Sequence, residues 1–153
     1  MVQPKRVGHI VLNVKDVKTS TDFYTKILGF TIALEREMST FLTCGRIHHD
    51  LALFQAEPDA APISKGGLGL NHMALQVENF DVLTEYFNIL ESLRLVDKTT
   101  DHGMTSSIYL TDPDGNGIEL FCNNQDDPTE GLAIMGDSTR KNTELVFPHI
   151  NSF

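Results

Sequence analysis

The sequence predicts an α+β fold of two tandem β-α-β-β-β modules that together form a curved mixed sheet. Three observations lead there. The segment Gly8-His9-Ile10-Val11-Leu12-Asn13-Val14 recurs 63 residues later as Asn71-His72-Met73-Ala74-Leu75-Gln76-Val77. Both copies alternate in the way of a half-buried strand. Behind each copy, at the same offset, stands an apolar stripe of helical spacing, Phe23, Tyr24 and Ile27 in one and Tyr86, Phe87 and Leu90 in the other. A repeat of this period marks units that cannot bury their apolar faces alone, and 153 residues suffice for a core between them.

In the first module, residues 5–56, a strand over Val7–Val14 puts Ile10, Leu12 and Val14 on one face and His9, Val11 and Asn13 on the more polar other. Asp16 or Ser20 caps a helix that runs to Leu28, buries Phe23, Tyr24, Ile27 and Leu28, and ends at Gly29. Three short strands follow, near Phe30–Glu37, Ser39–Cys44 and His48–Gln55, with Gly45 at one turn. Residues 57–67, with Pro58, Pro62 and a Gly-Gly pair, read as a linker.

The second module, residues 68–123, repeats the order. A strand at Leu70–Val77 precedes a helix near Asp81–Leu93 that buries Leu83, Tyr86, Phe87 and Leu90. Strands near Arg94–Thr99, Thr105–Thr111 and Gly117–Cys122 complete it, and Asp112-Pro113-Asp114-Gly115-Asn116-Gly117 is a dense turn signal before the last. The tail, residues 124–153, belongs to neither module; it covers a pocket, reaches a neighbouring subunit or stays partly disordered.

Composition narrows the function. The formal charge is −9 and no Lys/Arg cluster could track a phosphate backbone, which argues against nucleic acid as a partner. Two cysteines, Cys44 and Cys122, make no disulfide scaffold, and no apolar run of secretion-signal or membrane-span length occurs, so a soluble cytoplasmic protein is expected. Cys122 reads as buried packing and His149 as a surface residue of the tail.

The chemistry lies where the repeat puts it. His9 and His72 occupy equivalent places on the polar faces of equivalent strands, and Glu119 shares a strand face with Phe121 while Ile118 and Leu120 face the other way. A carboxylate on such a strand is costly unless paired or metal-bound. Two imidazoles and one carboxylate form a facial triad that suits non-haem Fe(II), with Mn(II) as the alternative. The equivalent of Glu119 in the first module is Ala52, so a fourth ligand is missing.

Across residues 5 to 123 the chain resembles the vicinal oxygen chelate superfamily (glyoxalase/bleomycin resistance/dioxygenase) and, within it, the type I extradiol, catechol-cleaving dioxygenases. The resemblance rests on Gly8-His9, His49-Asp50-Leu51-Ala52-Leu53, Asn71-His72-Met73-Ala74-Leu75 and the run from Ser107 to Cys122. It implies that His9, His72 and Glu119 are iron ligands, His49 the acid-base histidine, and His102 and Tyr109 a pair behind the metal. It also implies a small aromatic diol and O2 as partners, a homo-oligomer such as a dimer, and a ring opened beside the diol. Phe54, Phe121 and Met104 either line an aromatic slot or pack the core.

Two positions depart from the family pattern. His102 stands seven residues before Tyr109, closer than in the larger two-domain enzymes, and its other reading is a solvated loop histidine. Simple alternation puts His48, rather than His49, on the face of Ala52, unless a bulge or the start of the strand intervenes. The rival readings are another metal enzyme of the superfamily (a fosfomycin-resistance-like transferase, glyoxalase or epimerase) and a non-catalytic small-molecule binding protein.

Overall fold

The computed structural model describes residues 2–64 and 66–148, so His149 lies outside the described residues. The first module contains β1 (Ile10–Val14), α1 (Val17–Lys26), β2 (Thr31–Arg36), β3 (Ser39–Thr43) and β4 (Leu51–Gln55). The second contains β5 (Met73–Gln76), α2 (Phe80–Ser92), β6 (Lys98–Asp101), β7 (Thr105–Thr111) and β8 (Gly117–Asn123), followed by α3 (Pro128–Gly136). Each module makes its own four-stranded mixed sheet, in the orders β1-β4-β3-β2 and β5-β8-β7-β6. In both, the first strand runs parallel to the last and the other neighbours are antiparallel.

The chain divides into two compact units, residues 1–65 with Asp112–Asp114, and the remainder. In the first unit Asp16 caps α1 by accepting from the Thr19 N–H at 2.6 Å, while Ser20 is buried inside the helix. Gly29, at φ 75°, turns the chain out of the helix. Tyr24, Leu42, Leu51 and Leu53 are fully buried, each contributing about 1.5–3 kcal/mol. The buried Tyr24 hydroxyl donates to Asp112 Oδ2 at 2.9 Å, and the Lys15 N–H donates to Asp114 Oδ2 at 3.0 Å. The Asp-Pro-Asp stretch is therefore part of the core around α1 as well as a turn.

In the second unit Asn79 caps α2 through the Val82 N–H at 3.0 Å, and Leu83, Thr84 and Leu90 are buried. Tyr86 and Phe87 are only half-buried, in contrast to the expected stripe. The expected strand from Arg94 starts later, at Lys98. Arg94 sits at φ 59° just past the helix, and the Leu95 N–H reaches back to Leu90 O at 2.9 Å, so these residues close α2 instead of extending β6.

The described part of the tail, residues 124–148, packs against the second sheet. Asp127 caps α3, and beyond it Thr143 exchanges backbone hydrogen bonds with Asp101 at 2.8 and 3.2 Å. Thr99 Oγ1 donates to Leu145 O at 2.7 Å, and Phe147 stacks on Phe87 with ring centroids 4.3 Å apart. The segment thus covers the free edge of β6, which would otherwise be a template for pairing. Among the described residues no helix is long and apolar enough to cross a membrane.

Candidate metal centre and proton-bearing pair

In the second unit the strand register sets Lys98, Tyr109, Glu119 and Ala74 side by side across β6, β7, β8 and β5. His72 stands one residue before β5. Its approach to β8 depends on Gly117, where an added Cβ would lie 2.6 Å from Asn71 O and 3.0 Å from His72 Cβ.

Glu119 is the centre of a hydrogen-bonded cluster. Its Oε1 accepts from Ser107 Oγ at 2.6 Å and from the Tyr109 hydroxyl at 2.9 Å, and its Oε2 faces His72 Nε2 at 3.0 Å. His72 Nδ1 lies 2.8 Å from Asn71 Oδ1, an acceptor that fixes the ring. His102 Nε2 donates to the Tyr109 oxygen at 2.8 Å, so proton-bearing groups run in series from His102 through Tyr109 to Glu119. Burial, and then the hydrogen bond to Glu119, push the Tyr109 phenol up to about 12. The Lys98 ammonium stands 4.4 Å over the Tyr109 ring.

His102 is therefore in contact with Tyr109, despite the short spacing between them. The hairpin explains how: the His102 N–H bonds to Thr105 O at 2.9 Å, and Gly103, at φ 77°, makes the turn. The tail reaches the same point, because Arg140 Nε donates to His102 O at 3.3 Å.

In the first unit His9 precedes β1, and its ring lies 4.4 Å from that of His49. Phe41 packs edge-on against the same ring at 5.3 Å, and His48 neighbours it at 4.5 Å. β4 begins at Leu51, so strand parity does not extend to either histidine, and it is His49 whose ring lies tilted against that of His9. Asp50 shapes this loop: Oδ2 accepts from the Cys44 N–H at 2.8 Å and from Thr43 Oγ1 at 3.1 Å. Partial desolvation, followed by the charges of His9 and His48, holds the His49 pKa below the ordinary 6.5.

The expected site residues thus form two clusters, His72, Glu119, Tyr109 and His102 in the second unit and His9 with His49 in the first. Among the described residues no group of three or more His, Cys, Asp or Glu is placed to hold a metal ion. The pair His72 and Glu119 fits one in donor type: nitrogen and oxygen converge where an ion can replace the shared proton. Sequence reasoning missed Ser107, Asn71 and Asp50. Strand alternation placed Ser107 on the face of Tyr109, which was the available signal. Of the aromatic slot residues, Phe54 is exposed and Met104 lines a groove with Leu132 and Met135 of α3.

Residues 6–120 match the family described as Glyoxalase/Bleomycin resistance protein/Dioxygenase superfamily. Among curated relatives, biphenyl-2,3-diol 1,2-dioxygenase 2 of Rhodococcus globerulus is 30% identical over 136 residues, 88% of this chain and 72% of that protein. The metallothiol transferase FosB of Staphylococcus haemolyticus is 31% identical over 126 residues, 80% of this chain and 87% of that protein. Among solved structures, a glyoxylase/bleomycin resistance protein/dioxygenase domain from Frankia sp. EAN1pec superposes with a TM-score of 0.66 at 18% identity, over 80% of this chain and all of that one, a likeness of fold alone.

Proposed function

The chain belongs to the Glyoxalase/Bleomycin resistance protein/Dioxygenase superfamily, and from that membership we propose that it is an extradiol ring-cleavage dioxygenase, taking a catechol-type aromatic diol and O2 at a mononuclear Fe(II) site. The observation that carries this reading is the series from His102 through Tyr109 to Glu119 beside His72. It puts nitrogen and oxygen donors suited to divalent iron against two groups that hold protons. The Rhodococcus relative named as a biphenyl-2,3-diol dioxygenase supports the same reaction class.

In this reading His9, His72 and Glu119 hold the ion, Fe(II) or alternatively Mn(II). Bound there, the ion supplies a Lewis acid that eases deprotonation of the diol and a redox centre between diol and O2. The surroundings of His49 disfavour its imidazolium, and the ring nitrogen turned away from His48 Nδ1 accepts a diol proton. Tyr109, its phenol pushed up by burial and by Glu119, holds its proton at neutral pH and donates it to Glu119 Oε1. His102 aims that donor through the hydrogen bond to the phenol oxygen. The protein is further expected to be cytoplasmic and a homodimer or higher oligomer.

A second reading, a thiol transferase of the fosfomycin-resistance type, is favoured by the FosB likeness and by the two cations beside the cluster, Lys98 and Arg140. The two are separated by assaying anaerobically purified, Fe(II)-loaded protein with catechol, 3-methylcatechol and 2,3-dihydroxybiphenyl and following the yellow ring-opened product. Turnover that disappears in His72→Ala and Glu119→Ala supports the dioxygenase. Bound iron without product on any diol, together with thiol transfer to fosfomycin by the Mn(II) form, moves the assignment to the transferase.

A further inference from the structure

Ser107 lies on β7, on the same face as Tyr109, and is fully buried. Its hydroxyl is 2.6 Å from Glu119 Oε1, the short separation of a hydroxyl donating to an ionised carboxylate. The neighbouring Ser106 is also buried, on the same strand, but bonds Asn124 Oδ1 at 3.0 Å on the opposite face. Two serines of like chemistry and like burial therefore differ in whether they touch the carboxylate.

Glu119 Oε1 is held from two sides, by Ser107 and by Tyr109, and that pair of bonds fixes the plane of the carboxylate. Oε2 is left pointing at His72 Nε2. Of the two donors, Tyr109 is shared, since its oxygen also accepts from His102, whereas the Ser107 hydroxyl sits in a fully buried place. Without Ser107, Oε1 would keep the Tyr109 phenol as its one hydroxyl donor, and the plane of the carboxylate would be less constrained. We propose that Ser107 is a positioning residue that presents Glu119 Oε2, together with His72 Nε2, to a divalent metal ion; this rests on the metal reading above. Outer groups that orient ligands in this way influence metal affinity strongly.

The test is Mn(II) binding to the full chain, read from the free-ion electron paramagnetic resonance signal, with Co(II) absorption as a second signature. Ser107→Ala is expected to weaken Mn(II) binding about 10- to 100-fold and to alter the Co(II) spectrum, while Ser106→Ala leaves both as in the wild type. Equal affinity in Ser107→Ala and wild type would overturn the proposal, and so would an equal loss in both serine variants, which would reduce Ser107 to packing. Should Ser107→Ala fail to fold by near-UV circular dichroism, Ser107→Cys keeps the volume closer to serine and replaces the hydroxyl by a weak donor, and wild-type affinity there would overturn the proposal as well. A wild-type protein that binds neither Mn(II), Co(II) nor Fe(II) would bring down the metal reading itself, and Ser107's role with it.

Discussion

At the scale of single residues, the two histidine clusters make different demands on protons. His49 is held below the ordinary imidazole value of 6.5, so on acidification the unfolded chain takes up that proton first. The stability that this group contributes is present above the ordinary value and is lost as pH falls through it and on through the lower folded value. If the proposed reaction uses His49 as its base, activity follows the same sign, because a base must be neutral to act: kcat/KM should fall on the acid side, and His49→Gln should remove that limb along with about 10²-fold or more of the rate. A pH–rate profile that keeps its acid limb in His49→Gln would reassign the base. Tyr109, pushed up to about 12, gives no alkaline limb below that range, and Tyr109→Phe should lower kcat without abolishing iron binding. Of these residues His9, His72 and Glu119 could be picked out because the repeat and the strand faces marked them, whereas His49 and Tyr109 came only with the family resemblance. Asp50 and Asn71 were not legible, since what they do depends on loop shapes that no period encodes.

At the scale of elements, helices were read more securely than their ends. Asp16 and Asn79 cap where polar residues precede apolar stripes, but the closing turn of α2 claims Arg94 and Leu95 and delays β6 to Lys98. Residue type alone did not distinguish a left-handed arginine from a strand residue. The tail was undecided for another reason: Phe147 finds its partners in Phe80 and Phe87, far back in the sequence, so no local pattern announces it. Phe147 is 4% exposed, and Phe147→Ala should destabilise the protein by about 3–5 kcal/mol, measured by urea denaturation, with increased aggregation as the covered β6 edge loosens. A variant as stable as wild type would mean that the tail is not held by this stack.

At the scale of the whole molecule, the order of elements is legible in the internal repeat, because the period of the apolar residues is itself the packing instruction, while the strand orders within the two sheets come from the structure. What it did not reveal is the place of Asp112–Asp114, which stands in the second module's sequence and belongs to the first unit's core. Tyr24→Phe, which removes the hydroxyl from the buried Asp112, should cost about 1.5–3 kcal/mol, the range for a hydrogen bond to a charged group; an unchanged urea midpoint would contradict that role. The repeat also shows why the first sheet offers no carboxylate at the equivalent place, since it carries Ala52, buried beside Val11, where the second carries Glu119 beside Ala74.

The activity proposed for this chain is the insertion of O2 into an aromatic diol. Its most direct measurement is oxygen consumption by the Fe(II)-loaded protein with 2,3-dihydroxybiphenyl under isotopically labelled O2, with the product examined by mass spectrometry. Extradiol cleavage requires one O2 consumed per diol and both labelled atoms in a ring-opened product. Iron-loaded protein that leaves O2 and diol unchanged across the catechol series would contradict it.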